Sequence, residues 1–201
     1  MGDHYFSQRP SARGPARVFS VTLRGEALRI MTMPGVFSRR QVDPGTRLLI
    51  EHMEVRPADE FLDLGCGYGV VGLVAARLAS RGRVVMVDIN ERALALARAN
   101  IEANGLANAE ALAGDGFAPV AGRVFDVIAL NPPVRAGTSV VHRLIEGAVE
   151  HLRPGGRFYL VGRTRQGAVR LSEKMRQSFG NAEEIAKGGG YRLYLSRRPL
   201  S

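Results

Sequence analysis

The chain has 201 residues, 45% of them hydrophobic and 23% charged, and a formal net charge of +9. That length suits one domain with a sizeable core, and no apolar run reaches the roughly 18 residues a membrane-spanning helix needs. A single cysteine, Cys66, excludes an internal disulfide framework and points to a reducing cytoplasm.

Residues 1–16 are polar, carry Pro10 and Pro15, lack the apolar core of a signal peptide, and read as a loose arm. Val18–Leu23 and Leu28–Met33 alternate on either side of Arg24-Gly25, which predicts a β-hairpin ended by Pro34-Gly35. Asp43 has the chemistry of an N-cap with Pro44 at the first helical position, and Thr46–Glu54 carries Leu48, Leu49 and Met53 on an apolar side. Residues 1–45 are thus expected to form an arm and a hairpin lid packed on a main domain at 46–201. From residue 60 strands and helices alternate. Strands are predicted at Phe61–Leu64, Val84–Val87, Glu110–Ala113, Phe125–Leu130 and Arg157–Val161. Helices are predicted at Val70–Ala79, Arg92–Ala103, Ser139–Leu152 and Gly167–Phe179. Ala182–Lys187 and Tyr191–Ser196 flank three glycines and predict a closing hairpin. The pattern is that of an α/β fold: a doubly wound, mostly parallel seven-stranded sheet with an N-terminal hairpin extension and an antiparallel C-terminal edge.

Open α/β sheets bind ligands beyond the carboxyl ends of their strands. After the first strand of the alternating region come Gly65, Gly67 and Gly69, with Asp63 just before them. Such glycines let a backbone turn tightly and let a ligand approach, and the following helix aims its free N–H groups at that ligand. After the next strand comes Asp88, followed by Ile89, at the spacing where a carboxylate meets ribose hydroxyls. Gly114-Asp115-Gly116-Phe117 and Asn131-Pro132-Pro133 follow the next two strands. Each segment has a plainer reading: G-x-G-x-x-G as an ordinary turn, Asp88 as a helix cap, Asp115 as a turn acid, Cys66 as a small residue in a tight loop. The four histidines, at positions 4, 52, 142 and 151, lack metal-ligand spacing, so no metal site is expected, and His142 and His151 read as solvent-facing. Residues 131–201 hold 13 Lys or Arg against 5 Asp or Glu, nearly all of the charge excess. A basic face favours a polyanion such as RNA, although the 26 arginines among the 28 cations also suit a plain solvated surface. Arg135, Arg163 and Arg165 follow strands on the ligand edge, where they could meet phosphates, with Arg39 and Arg40 as further candidates.

The series D-L-G-C-G-Y-G, V-D-I-N, G-D-G-F and N-P-P resembles class I S-adenosylmethionine (SAM)-dependent methyltransferases, whose fold is Rossmann-like. N-P-P resembles the signature of the branch acting on planar nitrogens, in nucleic-acid bases or a glutamine amide. H-Y-F-S, L-R-G, G-V-F-S-R-R-Q-V-D-P-G-T, N-P-P-V-R-A-G, R-T-R-Q-G-A and G-G-Y-R are similar to the small-subunit ribosomal RNA guanine-N2 methyltransferases. The match runs over roughly residues 4–195, in the form of a stand-alone catalytic domain. This resemblance implies SAM as cofactor, ribosomal RNA or the small ribosomal subunit as partner, and a cytoplasmic, membrane-free and metal-free enzyme of open oligomeric state. It implies that Gly65, Cys66, Gly67 and Gly69 face the methionine portion, that Asp63 anchors its amino group and that Asp88 and Ile89 meet the ribose. It places Asp115, Gly116 and Phe117 at the adenine and has Phe37 and Ser38 closing over the site. Asn131, Pro132 and Pro133 become the catalytic corner: the Asn131 side-chain oxygen and the Pro132 carbonyl each accept one N–H of a flat amine and turn its lone pair toward the methyl group. Positioning then supplies most of the catalysis, and no strong general base is required.

The chain departs from that resemblance at Val134, where most N-P-P enzymes carry an aromatic on which the base stacks; another aromatic, Phe37 or Tyr191, would replace it, or the substrate is gripped differently. The readings left open are a protein glutamine-N5 or adenine-N6 methyltransferase, an NAD-dependent oxidoreductase, and a catalytically silent SAM- or RNA-binding module.

Overall fold

A computed structural model describes residues 17–33, 42–132 and 137–200. Strands β1 (Arg17–Leu23) and β2 (Glu26–Thr32) form an antiparallel hairpin. Its turn holds Arg24 and Gly25 at φ of 51° and 81°, the pair of positive values that a two-residue turn matching strand twist demands. Helix α1 (Pro44–His52) begins at Pro44 as the Asp43 cap predicts, with Asp43 accepting from the amides of Gly45 and Thr46, and ends two residues before Glu54.

The alternating region follows as β3 (Glu60–Leu64), α2 (Val70–Leu78), β4 (Arg83–Asp88), α3 (Glu91–Ala103), β5 (Ala109–Ala113) and β6 (Phe125–Leu130). It closes with α4 (Thr138–His151), β7 (Leu152–Arg163), α5 (Ala168–Phe179), β8 (Glu183–Gly188) and β9 (Tyr191–Arg197). The seven strands lie in the order β5-β4-β3-β6-β7-β9-β8. All neighbours are parallel except at β9, which runs antiparallel to both β7 and β8. This is the doubly wound, mostly parallel sheet with an antiparallel edge that the sequence predicts.

Period-two alternation feeds both faces. Phe61, Val84, Met86, Val127, Ala129, Tyr159 and Val161 enter the core beneath α1, α2 and α3. Leu62, Leu64, Val85, Val87, Ile128, Leu130, Phe158 and Leu160 enter the core beneath α4 and α5. The strand predicted at Arg157–Val161 is longer, Leu152–Arg163. Leu152 pairs with Phe125 across a bulge, and Gly155 and Gly156 exchange backbone hydrogen bonds with Arg198, so Pro154-Gly155-Gly156 continues the ladder after ending the helix.

The hairpin docks through two asparagines one turn apart, Asn100 on α3 and Asn104 capping its C-terminus. Asn100 accepts from the Met31 amide (2.7 Å) and donates to the carbonyls of Met31 and Tyr68; Asn104 accepts from the Arg29 amide and donates to the Arg29 carbonyl. Two side-chain amides thus serve the edge of β2 as a neighbouring strand would. Asn100 is fully buried, so its loss strands three backbone groups. Asn100→Ala is expected to cost about 2–4 kcal/mol in urea denaturation, against under about 1 kcal/mol for Asn104→Ala, whose side chain is only partly buried. Equal costs would mean that burial at Asn100 does not hold the hairpin.

Candidate active site

β3 and β6 are adjacent and parallel, with Leu64 opposite Leu130. The strand order reverses between them, since β3 leads to β4 on one side and β6 to β7 on the other. Ligands of open α/β sheets bind at such a reversal. The glycine loop therefore leaves β3 beside the point where Asn131 leaves β6.

Gly65, Gly67 and Gly69 have φ of 72°, 57° and 92°, a region that side chains disfavour. They serve two ends. A Cβ on Gly65 or Gly67 would meet nothing within 4 Å, so the space above the loop is open. A Cβ on Gly69 or on the helical Gly72 would run into Met86, so these let α2 lie close on β4. The Val87 carbonyl accepts from the amides of Gly65 (2.8 Å) and Cys66 (3.0 Å).

Two carboxylates fasten this loop. Asp63, 3% exposed, accepts from the Gly72 amide at 2.9 Å, satisfying a donor in the first turn of α2. Burial raises its pKa to about 7, opposed by the Gly72 bond and helped by the charge of Asp88. Asp88 accepts from the Gly67 amide through one oxygen and from the Asn90 amide through the other, both at 2.8 Å, while burial pushes its pKa up. Asn90, not Asp88, caps α3. Burial, then the nearby Asp63 and Asp88, push the Cys66 thiol well above its ordinary pKa, which leaves it an inert wall residue.

At the end of β6 the Asn131 amide is held from one side. Thr46 donates its hydroxyl proton to the Asp43 carboxylate and accepts from Asn131 Nδ2 at 2.9 Å. Because the carboxylate only accepts and the amide nitrogen only donates, this chain fixes the side-chain orientation and leaves Asn131 Oδ1 turned away from Thr46. Asn131 lies in the wall of two cavities. One sits over the glycine loop, with Thr46, Asp63, Gly65 and Cys66 in its wall. The other, of about 150 Å³, is bounded by Pro132, Thr138, Arg163 and Tyr191.

Thr46 and Asp43 are the residues sequence reasoning missed. The Asp43 cap was legible, but nothing local places Thr46 against a residue 85 positions later. Asp115 lies half-exposed in an ion pair with Arg143, and Ile89 is partly buried beside Asp88. Phe117 stacks on His151 with centroids 4.3 Å apart and presses on Gly147. His142 and His151 are therefore not solvent-facing as their helical positions suggest: both are partly buried, and the Nε2 of His142 is buried without a hydrogen-bond partner. Arg163 and Arg165 are exposed at the end of β7. Tyr191 does not offer a free ring, because Gly45 packs against one side and the Arg163 guanidinium lies 5.0 Å from its centroid. Phe37, Ser38, Arg39, Arg40, Pro133, Val134 and Arg135 lie outside the described residues. Among the described residues no three His, Cys, Asp or Glu side chains cluster as a metal site would need, and no helix is long and apolar enough to cross a membrane.

The Asp63 pKa has a measurable consequence. The unfolded chain loses this proton near pH 3.9, whereas the folded chain holds it to about pH 7. Its contribution to stability therefore falls as pH rises through that window and is level above it. In urea denaturation Asp63→Asn should gain on the unaltered chain by roughly 2–3 kcal/mol more at pH 8 than at pH 5. An unchanged difference between the two pH values would show that Asp63 is not the titrating group.

Comparison with known proteins places the chain in a family. The methyltransferase small domain family matches residues 27–195. The chain is 36% identical over 200 residues to the Bacillus subtilis protein YbxB, an uncharacterized protein matched over its whole length. It is 34% identical over 194 residues to ribosomal RNA small subunit methyltransferase C of Pseudomonas paraeruginosa, covering 94% of this chain but 57% of that enzyme. Among solved structures it is similar to a T. thermophilus 16S rRNA N2 methyltransferase determined with AdoMet and guanosine. The TM-score is 0.82 and the identity 29%, over 94% of this chain and 53% of that one. A Pyrococcus furiosus methyltransferase, 23% identical with a TM-score of 0.70, shares the fold over 86% of this chain and 89% of its own. With a sheet reversal that joins an open glycine loop to an oriented asparagine, and a family match across nearly all of its described length, the chain belongs to the methyltransferase small domain family and is a SAM-dependent methyltransferase.

Proposed function

We propose that this enzyme methylates the exocyclic N2 amine of a guanine in small-subunit ribosomal RNA. The observation that carries the reading is the Asp43–Thr46–Asn131 chain, which presents an amide oxygen between the cavity over the glycine loop and the cavity beside Pro132. The names of the Pseudomonas relatives and the guanosine bound in the T. thermophilus structure support it. Those enzymes are nearly twice as long as the matched region, so the substrate choice is a proposal for this chain. A ribosomal substrate would place it in the cytoplasm.

The described residues suit SAM. A carboxylate buried with a raised pKa favours a cation beside it, and Asp63 would hold the ammonium group of the methionine portion. Each Asp88 oxygen retains a lone pair after accepting from Gly67 or Asn90, and these would accept the ribose hydroxyls. Gly65 and Gly67 leave open space over the loop for the chain between them. Asp115 would accept from the adenine amine beside Gly116, with Phe117 held as a fixed wall by His151. When bound, SAM supplies a methyl group activated by its sulfonium.

The acceptor amine is flat because its lone pair is drawn into the ring. Asn131 Oδ1 and the Pro132 carbonyl would each accept one of its N–H groups and hold the lone pair outside the ring plane. Pro132 has no N–H of its own to compete, and its φ is fixed by the ring. The basic excess in residues 131–201 supplies attraction for the RNA backbone. Pro133 and the arginines at 39, 40, 135 and 165 are proposed to complete the corner and meet phosphates.

Incubating the protein with methyl-labelled SAM and unmodified small ribosomal subunits, followed by nucleoside digestion, should return N2-methylguanosine. Label in protein, or in another nucleoside, would overturn the reading. Asn131→Ala should abolish transfer with SAM affinity nearly kept. Thr46→Val removes the acceptor that fixes the amide and should lower kcat about 10- to 100-fold, while Thr46→Ser, which keeps the hydroxyl, stays near the unaltered rate. Normal turnover by Thr46→Val would mean that the amide is oriented by something else.

A further inference from the structure

The cavity beside Pro132 needs a flat surface for a base, and no aromatic ring in its described wall presents one. Tyr191 is its sole described aromatic, and that ring is already in contact with Gly45 and with Arg163. A Cβ on Gly45 would come within 2.6 Å of its Cδ1 and Cε1, and the Arg163 guanidinium lies over the ring at 5.0 Å. Cross-strand pairing fixes the contact, since Arg163 stands directly opposite Tyr191 where β7 and β9 run antiparallel. The Thr164 amide donates to the Gly190 carbonyl and closes the same corner.

Arg163 is otherwise uncommitted. It is exposed, it lines the cavity together with Asn131 and Pro132, and no carboxylate among the described residues pairs with it. A guanidinium is a planar, weakly hydrated cation. It stacks on aromatic faces through both of its own faces, which an ammonium group cannot do.

We propose that the guanidinium of Arg163, braced from behind by the Tyr191 ring, is the surface on which the acceptor nucleobase stacks when its amine meets Asn131. This rests on the proposed function and specifies how that site grips its base. Tyr191 contributes as a positioning residue: it holds the guanidinium plane, and Gly45 holds Tyr191. A base on this platform would be clamped flat, with its edge free to reach the Asn131 oxygen. Unpaired RNA bases are commonly held in this way on arginine planes.

The competing role for Arg163 is a point charge on a phosphate, and the two roles separate by substitution. Arg163→Lys keeps the charge and loses the plane; Arg163→Phe keeps the plane and loses the charge. Stacking predicts that Arg163→Lys lowers kcat/KM for ribosomal RNA on the order of 10- to 100-fold, and that Arg163→Phe stays within a few-fold of the unaltered enzyme. Melting temperature and SAM affinity should be unchanged in both, since the side chain is exposed. Near-normal activity in Arg163→Lys, with loss in Arg163→Phe and a shallower salt dependence, would assign Arg163 to a phosphate and overturn the proposal. Equal loss in both variants would also overturn it, because the plane alone would not then suffice. If the unaltered enzyme labels RNA while these variants fail the pattern, only this inference falls. If the unaltered enzyme leaves RNA unlabelled, the proposed function falls and takes this inference with it.

Discussion

The register between β3 and β6 is the constraint on which the site depends. Parallel pairing puts Leu64 opposite Leu130, so the chain emerges from both strands at the same height, on either side of the point where the sheet reverses its winding. The glycine loop and Asn131 then share one cavity with no long loop to bring them together. A slip of one residue would turn Leu62 and Leu64 out of the core beneath α4 and α5 and carry Asp63 to the opposite face. Core packing and site geometry are thus enforced by the same pairing.

Around that register, polar groups are spent on backbone amides rather than on one another. Asp63 serves Gly72, Asp88 serves Gly67 and Asn90, and Asp43 serves Gly45 and Thr46. Each carboxylate fixes a turn or a helix start while keeping accepting capacity, and Asp43 and Asp63 do so in the wall of the cavity over the glycine loop. Burial makes this costly for Asp63 and Asp88, whose pKa values both rise. Asp63 also lines the cavity over the glycine loop, and a carboxylate with a raised pKa in a cavity wall marks a candidate functional group.

The hairpin belongs to the same system. Asn100 joins β2, α3 and the Tyr68 carbonyl, so one buried amide connects the edge of the extension to the glycine loop. Arg24 at the hairpin tip donates to the Met53 carbonyl at the end of α1, the helix that carries Thr46. The family match likewise begins at residue 27, inside the hairpin. An extension that reads in sequence as a separate lid is thereby tied by hydrogen bonds to the glycine loop and to the C-terminal end of α1.

The sequence by itself determined the layers, the strand alternation, the turn at Arg24-Gly25 and the glycines after β3, because period, turn chemistry and capping are local properties. It also located the ends of β3, β4 and β6, since Asp63, Asp88 and Asn131 each follow or end an apolar run. Tertiary structure decided what those residues touch. Only the fold brings Thr46 to Asn131, covers Tyr191 with Arg163 and lays His151 on Phe117, because each pair is joined by sheet order or helix packing and not by spacing along the chain. The length of β7 escaped the sequence for the same reason: its glycines continue as strand because Arg198 pairs with them from β9's far end.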